Sequence, residues 1–285
     1  MSILQDKMAE FGFESNDDYQ YHLKSFFSAE HGFIRVLNIE GEQQRRKTAF
    51  ANALALSLEY PHHLYYDFSQ QEPIEGKVIL PETQDEDGVK APPVSDFDHI
   101  MSEACAFSEA EETVLILDQL HLTDFQNHIR LYHFIQTQKW TYNNTDLQAN
   151  KNKLILFFIS SEPLYHSLQK CSFRLWVNTV SDKQILYIPE DFNLSPQAKL
   201  FMNELSQLFI ELGLSPTKSE YRHILHDIHY NIETEEHLIN SLYAWMEGIN
   251  RDILLSNQIK HPLKKVMDEI HNYLIAEQVT VVTVE

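Results

Sequence analysis

The chain has 285 residues, 43% of them hydrophobic, and a formal net charge of −20 from 42 acidic against 22 basic residues. That length allows one large domain or two modest ones with a packed core, and the acidic balance disfavours a broad nucleic-acid surface. Cys105 and Cys171 are too few for a disulfide framework, and the sequence reads as free of a signal peptide and of a long apolar span, so a cytoplasmic protein is expected.

Residues 1–30 combine helix-like spacing (Met8, Phe11, Phe13) with Tyr19, Tyr21, Phe26 and Phe27. They read as a helical lead-in whose aromatic side chains either seal a core face or meet a partner. Residues 33–39 form an apolar run with β-branched members, the first central strand. Between it and the helix-forming run 47–59 stands Gly41-Glu42-Gln43-Gln44-Arg45-Arg46-Lys47-Thr48. Gly41, Lys47 and Thr48 match three of the four fixed positions of the phosphate-binding pattern G-x-x-x-x-G-K-S/T. In that loop backbone N–H groups cradle phosphates, the lysine reaches the terminal phosphates and the hydroxyl meets Mg²⁺. Arg46 occupies the fourth position, where glycine permits an unusual backbone close to the phosphates. The alternative is a plain strand-to-helix turn with a basic helix start, which sets cations against the helix dipole unless an anion lies nearby.

A second strand is expected over 63–68. Residues 69–95 carry Pro73, Pro81, Pro92, Pro93 and the acidic run Asp85-Glu86-Asp87, and read as a solvated insertion or a binding loop. A helix over 96–110 leads to Thr113-Val114-Leu115-Ile116-Leu117-Asp118-Gln119, the pattern of a strand buried on both faces. Asp118 ends it, where an open parallel sheet places its ligands. The spacing then predicts a helix over 123–140 capped by Thr123, a loop over 141–153, and a fully apolar strand over 154–159 that runs into Ser160-Ser161. A side chain there can reach a terminal phosphate or its attacking water; alternatively Ser161 caps a helix over 163–170. Strands over 173–177 and 184–188 follow.

From Ser195 the alternation stops. Helices are expected from Ser195-Pro196 to Gly213, from Ser215-Pro216, from Thr234, and after Pro262, with 279–284 as a terminal strand. The organisation expected is a lead-in (1–30), an α/β domain (31–191) and a helical domain (192–285). His62, His63, His223, His226 and His229 lack the glutamate spacing of a zinc helix, so structural roles are expected for them.

The Lys47-Thr48 loop after a strand, Asp118 at the end of another, Ser160-Ser161 after a third and a helical C-terminal region together resemble an AAA+ type P-loop ATPase, over most of residues 20–250. The resemblance implies a P-loop NTPase-like parallel sheet flanked by helices and followed by a helical lid. It implies ATP and Mg²⁺ as cofactors, with Gly41, Arg46, Lys47 and Thr48 at the phosphates and Thr48 and Asp118 at the metal. Ser160 or Ser161 would be the sensing residue, and Arg174 a finger offered to a neighbouring subunit. Arg222 would be the nearest candidate for a lid arginine. Gln119 stands where the family has a glutamate that activates water, and an amide cannot accept that proton. The expectation is therefore an ATP-binding switch or assembly subunit with weak or absent hydrolysis. A nucleotide-free interaction scaffold is the alternative. A protein partner or homo-oligomer is expected rather than nucleic acid.

Overall fold

The computed structural model describes residues 3–29, 32–70, 95–142, 145–178 and 185–282. Within the segment expected as an insertion, residues 71–94 lie outside that description. The chain divides into two compact units, residues 1–13 with 19–177, and 14–18 with 178–285.

The first unit runs α1 (Ile3–Glu10), α2 (Gln20–Ser28), β1 (Arg35–Glu40), α3 (Gln44–Ser57), β2 (His62–Asp67), α4 (Asp96–Ala110), β3 (Thr113–Asp118), α5 (Phe125–Thr137), β4 (Lys139–Tyr142), β5 (Thr145–Gln148), β6 (Leu154–Ile159), α6 (His166–Lys170) and β7 (Phe173–Trp176). Five strands form one parallel sheet in the order β2-β3-β6-β1-β7. The continuous apolar runs of β3 and β6 are explained by their central place, where both faces are covered. Alternate residues serve opposite faces. Leu37, Ile39, Val114, Ile116, Ile155, Phe157 and Ile159 pack with Phe50, Ala51 and Leu54 of α3 and with Met8, Leu23 and Phe26 of the lead-in helices. Leu115, Leu117, Leu154, Leu156 and Phe158 pack with Phe97 and Met101 of α4, Leu131 and Phe134 of α5, and Leu168 of α6. The lead-in aromatics Phe26, Phe13 and Tyr19 are thus core residues.

The helix expected to run through Trp140 stops short. Asp124, not Thr123, caps α5 by accepting from the Asn127 N–H at 2.8 Å. Gln138 ends the helix in the left-handed region (φ 58°). Trp140 then enters a short antiparallel hairpin, with Trp140 opposite Leu147, where a loop was expected. Its ring is buried against Phe97 and Phe134, and its indole N–H reaches Asp98 of α4 at 3.1 Å. Burial of one large ring against α4 outweighs the helical spacing that leads up to it.

The second unit is helical: α7 (Lys199–Leu212), α8 (Lys218–Tyr230), α9 (Glu235–Trp245), α10 (Arg251–Leu254) and α11 (Lys260–Val282). Gly213 ends α7 in the left-handed region, and Thr217 and Thr234 cap α8 and α9. Residues 14–18 join this unit: the Asn16 amide donates to the Ser215 and Pro216 carbonyls at 3.1 and 2.9 Å. Among the described residues two expected strands are absent; residues 184 and 283–284 of the expected ranges lie outside that description. Residues 185–188 are irregular and lead into a 3₁₀ turn, Pro189–Phe192. Residues 279–282 continue α11, because extending an existing helix by a turn costs less than starting a strand with no sheet to join. Among the described residues this unit contains no strand.

Asp227 of α8 ties α9 in place, accepting from Ser241 Oγ (2.7 Å), Trp245 Nε1 (2.7 Å) and, just past the end of its own helix, Asn231 Nδ2 (2.8 Å). Burial opposes its charge, but these hydrogen bonds and His226 outweigh it and hold the carboxyl below its ordinary value of 3.8. Because the folded value lies below the unfolded one, the stabilisation is present above 3.8 and is lost as pH falls through the folded value. Asp227→Asn should therefore cost about 1–2 kcal/mol at neutral pH and progressively less in acid, read by urea unfolding across that range.

Candidate functional site

α3 covers one face of the sheet and α6 the other, so the connections leaving the neighbouring strands β1 and β6 depart to opposite sides. The crevice at the carboxyl ends of such a pair is where open α/β sheets bind ligands. Lys47 and Ser160 meet there.

Gly41 follows β1 directly. A Cβ at this position would lie 2.5 Å from the Val177 carbonyl oxygen, so the close passage of two backbones requires glycine. The chain does not then arch. α3 begins at Gln44, and the Lys47 N–H already closes a helical turn on the Gln43 carbonyl at 3.2 Å. Arg46, a residue of good helix propensity, stands in this turn where the phosphate pattern has glycine.

Lys47 is 1% exposed, and its Nζ donates to the Ser160 carbonyl at 2.6 Å. Burial pushes its ammonium below the ordinary value of 10.5, against the attraction of Asp118 and Glu40. Asp118, 2% exposed, accepts four hydrogen bonds. Gln44 Nε2 (2.6 Å) and the Gln119 N–H (2.7 Å) donate to Oδ1, and Thr48 Oγ1 (2.7 Å) and Tyr65 OH (2.8 Å) donate to Oδ2. A carboxylate offers about four lone-pair directions, and here all are taken. Burial, the bond to Asp118 and the charges of Asp118 and Asp67 push the Tyr65 phenol above its usual range.

The two serines divide their work. Ser160 Oγ turns back to the Glu162 carbonyl at 2.6 Å, while Ser161 Oγ donates to Gln44 Oε1 at 2.9 Å and the Ser161 N–H to His121 Nδ1 at 3.3 Å. Tyr165, not Ser161, is the residue before α6. Gln119 adopts the left-handed region (φ 57°), which presents its N–H to Asp118.

Gly41, Lys47, Thr48, Asp118, Gln119 and Ser160 are therefore brought to one crevice. Arg46 and Arg174 take other places. The Arg46 guanidinium lies over the Phe13 ring, 4.8 Å from its centroid, facing the lead-in. Arg174 is exposed on the edge strand β7, beside Asn38 in register and, by alternation with Leu175, on the face away from α3. Arg222 is an exposed residue of α8 in the second unit. Among the described residues no histidine, cysteine or carboxylate cluster is arranged to hold a metal ion. His62 stacks on Phe107 and meets Glu111, and His223 stacks on Trp245. Both cysteines are buried, and burial pushes Cys105 to about 12 and Cys171 to about 11.

The Mg²⁺ and ATP implied by the resemblance do not fit this arrangement. The cradle is a helical turn, the lysine is spent on a carbonyl, and the oxygens of Asp118 are saturated from within. Gln44 and Tyr65, which complete the arrangement, carried no sequence signal. Tyr65 could have been suspected only from its alternation with Leu64 and Tyr66 along β2.

No protein-family model matches the chain, and no curated protein matches it. Among solved structures, the crystal structure of NtrX from Brucella abortus is similar at 11% identity and a TM-score of 0.39, over 94% of this chain and 53% of that one. The chain thus spans about half the length of that structure, and the likeness is too slight to carry an argument. Among the described residues no helix is long and apolar enough to cross a membrane.

Proposed function

We propose that this chain is an AAA+ like P-loop protein that works as an interaction scaffold, with its nucleotide site closed by its own side chains. The observation that carries the reading is the internal use of both charged groups such a site needs, Lys47 on the Ser160 carbonyl and Asp118 within its four donors. The partner is a protein or a second copy of the chain, since a net charge of −20 opposes a polyanion.

An ATP-gated switch with weak hydrolysis is the second reading. Its support is that Lys47, Thr48 and Asp118 still converge at the switch point of the sheet. The lid role expected for the helical unit belongs to this reading. Gln119→Glu separates the two. A closed scaffold releases no phosphate from ATP before or after that substitution, because the added carboxylate has no substrate to serve. Phosphate release that appears in Gln119→Glu and is lost again with Lys47→Met would replace the scaffold by the switch.

A further inference from the structure

The first turn of α3 is helical without the usual means of being so. Gln43 precedes it and makes no side-chain capping bond, and the turn contains no acidic residue. Arg45 and Arg46 stand where the helix dipole disfavours cations. The N–H groups of the opening turn have no acceptor within the helix, so an uncapped basic start of this kind frays readily. Besides Lys47 on the Ser160 carbonyl and Arg46 over the Phe13 ring, a tether opposes fraying. The Gln44 carboxamide is used at both ends, its Nε2 on Asp118 at the tip of β3 (2.6 Å) and its Oε1 accepting from Ser161 Oγ after β6 (2.9 Å). These partners are 74 and 117 residues away along the chain, so the clasp pins the helix start across two strands.

We infer that Gln44 is an autoinhibitory latch. Its clasp on Asp118 and Ser161 keeps residues 44–46 helical, and the same contact fills one side of the Asp118 carboxylate, shutting the crevice against a phosphate ligand. The inference rests on the closed-site reading and adds the part that can be undone. Of the four donors to Asp118, Gln44 is the one whose loss also releases the backbone beside Lys47. Thr48 sits deeper in α3, Tyr65 belongs to β2, and the Gln119 N–H is fixed by the turn after β3.

The test uses Gln44→Ala and Ser161→Ala, which undo opposite ends of the clasp. Ser161 is exposed, so its substitution carries little risk to folding. Amide hydrogen exchange and a titration with Mg·ATP are read on both variants and the wild type. With the latch, exchange at Lys47, Thr48 and Ala49 quickens by about tenfold in both variants while β3 and β6 keep their protection, and Mg·ATP binds the variants at least about tenfold more tightly than the wild type. Unchanged exchange overturns the latch, and so does faster exchange with no gain in affinity. Tight binding by the wild type itself sinks the closed-site reading and, with it, the latch that rests on it.

Discussion

Asp98→Ala should be among the most destabilising single substitutions in the first unit, at about 3 kcal/mol. Asp98 is 6% exposed and accepts from Ser95 Oγ at 2.7 Å, from the Trp140 indole at 3.1 Å and from the Arg130 guanidinium, which lies over the Trp140 ring, 4.1 Å from its centroid. Arg130 is about a third exposed, so solvent screens its share of the ion pair and the charge alone is worth little. The larger cost comes from Trp140. Its indole N–H is buried, and an orphaned buried donor costs about 1–3 kcal/mol on its own. The substitution also loosens the start of α4 and frees the guanidinium from the ring it covers. For a unit of this size the loss corresponds to a fall in Tm of roughly 6–12 °C. Asp98→Asn keeps one acceptor oxygen and should cost less than half as much. Calorimetric unfolding of the three proteins decides the matter, and a loss below about 1 kcal/mol for Asp98→Ala would show that the cluster is ornamental.

Lys47→Ala and Lys47→Met should differ sharply. Removing a side chain that is 1% exposed leaves a cavity and an unpaired Ser160 carbonyl, for a loss of about 2–5 kcal/mol. Methionine nearly restores the volume and takes a desolvated ammonium out of the core. It still orphans the carbonyl, so its stability should fall within about 1 kcal/mol of the wild type. The pH dependence has a defined sign. Because burial lowers the folded value below 10.5, the unfolded chain holds more protons between the two values, and the wild type gains stability relative to Lys47→Met as pH rises toward 10.5. Urea unfolding at neutral and alkaline pH measures both effects. Equal losses in the two variants would mean that the charge of Lys47, rather than its packing, matters to the fold.

The parts of this architecture that could be read along the chain are those set by local pattern. β3 and β6 announced themselves because a strand covered on both faces must be apolar throughout. Lys47-Thr48 and Asp118 were found because their spacing to a preceding or containing strand is local. The hairpin at Trp140 was missed because its driving contact, with Asp98, lies 42 residues back. The terminal valines were misread because β-branched residues favour strands only where a sheet receives them. The closure of the crevice was illegible for the same reason as the hairpin. Gln44 and Tyr65 reach Asp118 across 74 and 53 residues, and neither residue type announces a carboxylate partner. Arg46 was the one visible sign. A glycine position filled by a helix-forming residue foretold a harder loop to close, and the outcome is a turn of helix in its place.

Calorimetric titration of Mg·ATP into the wild-type protein tests the central claim most directly, with Lys47→Met as the control. A site closed by its own side chains predicts no saturable heat and no rise in Tm with nucleotide up to about millimolar concentration. Saturable binding in the micromolar range that vanishes in Lys47→Met would contradict the closed site and make the lysine a phosphate ligand.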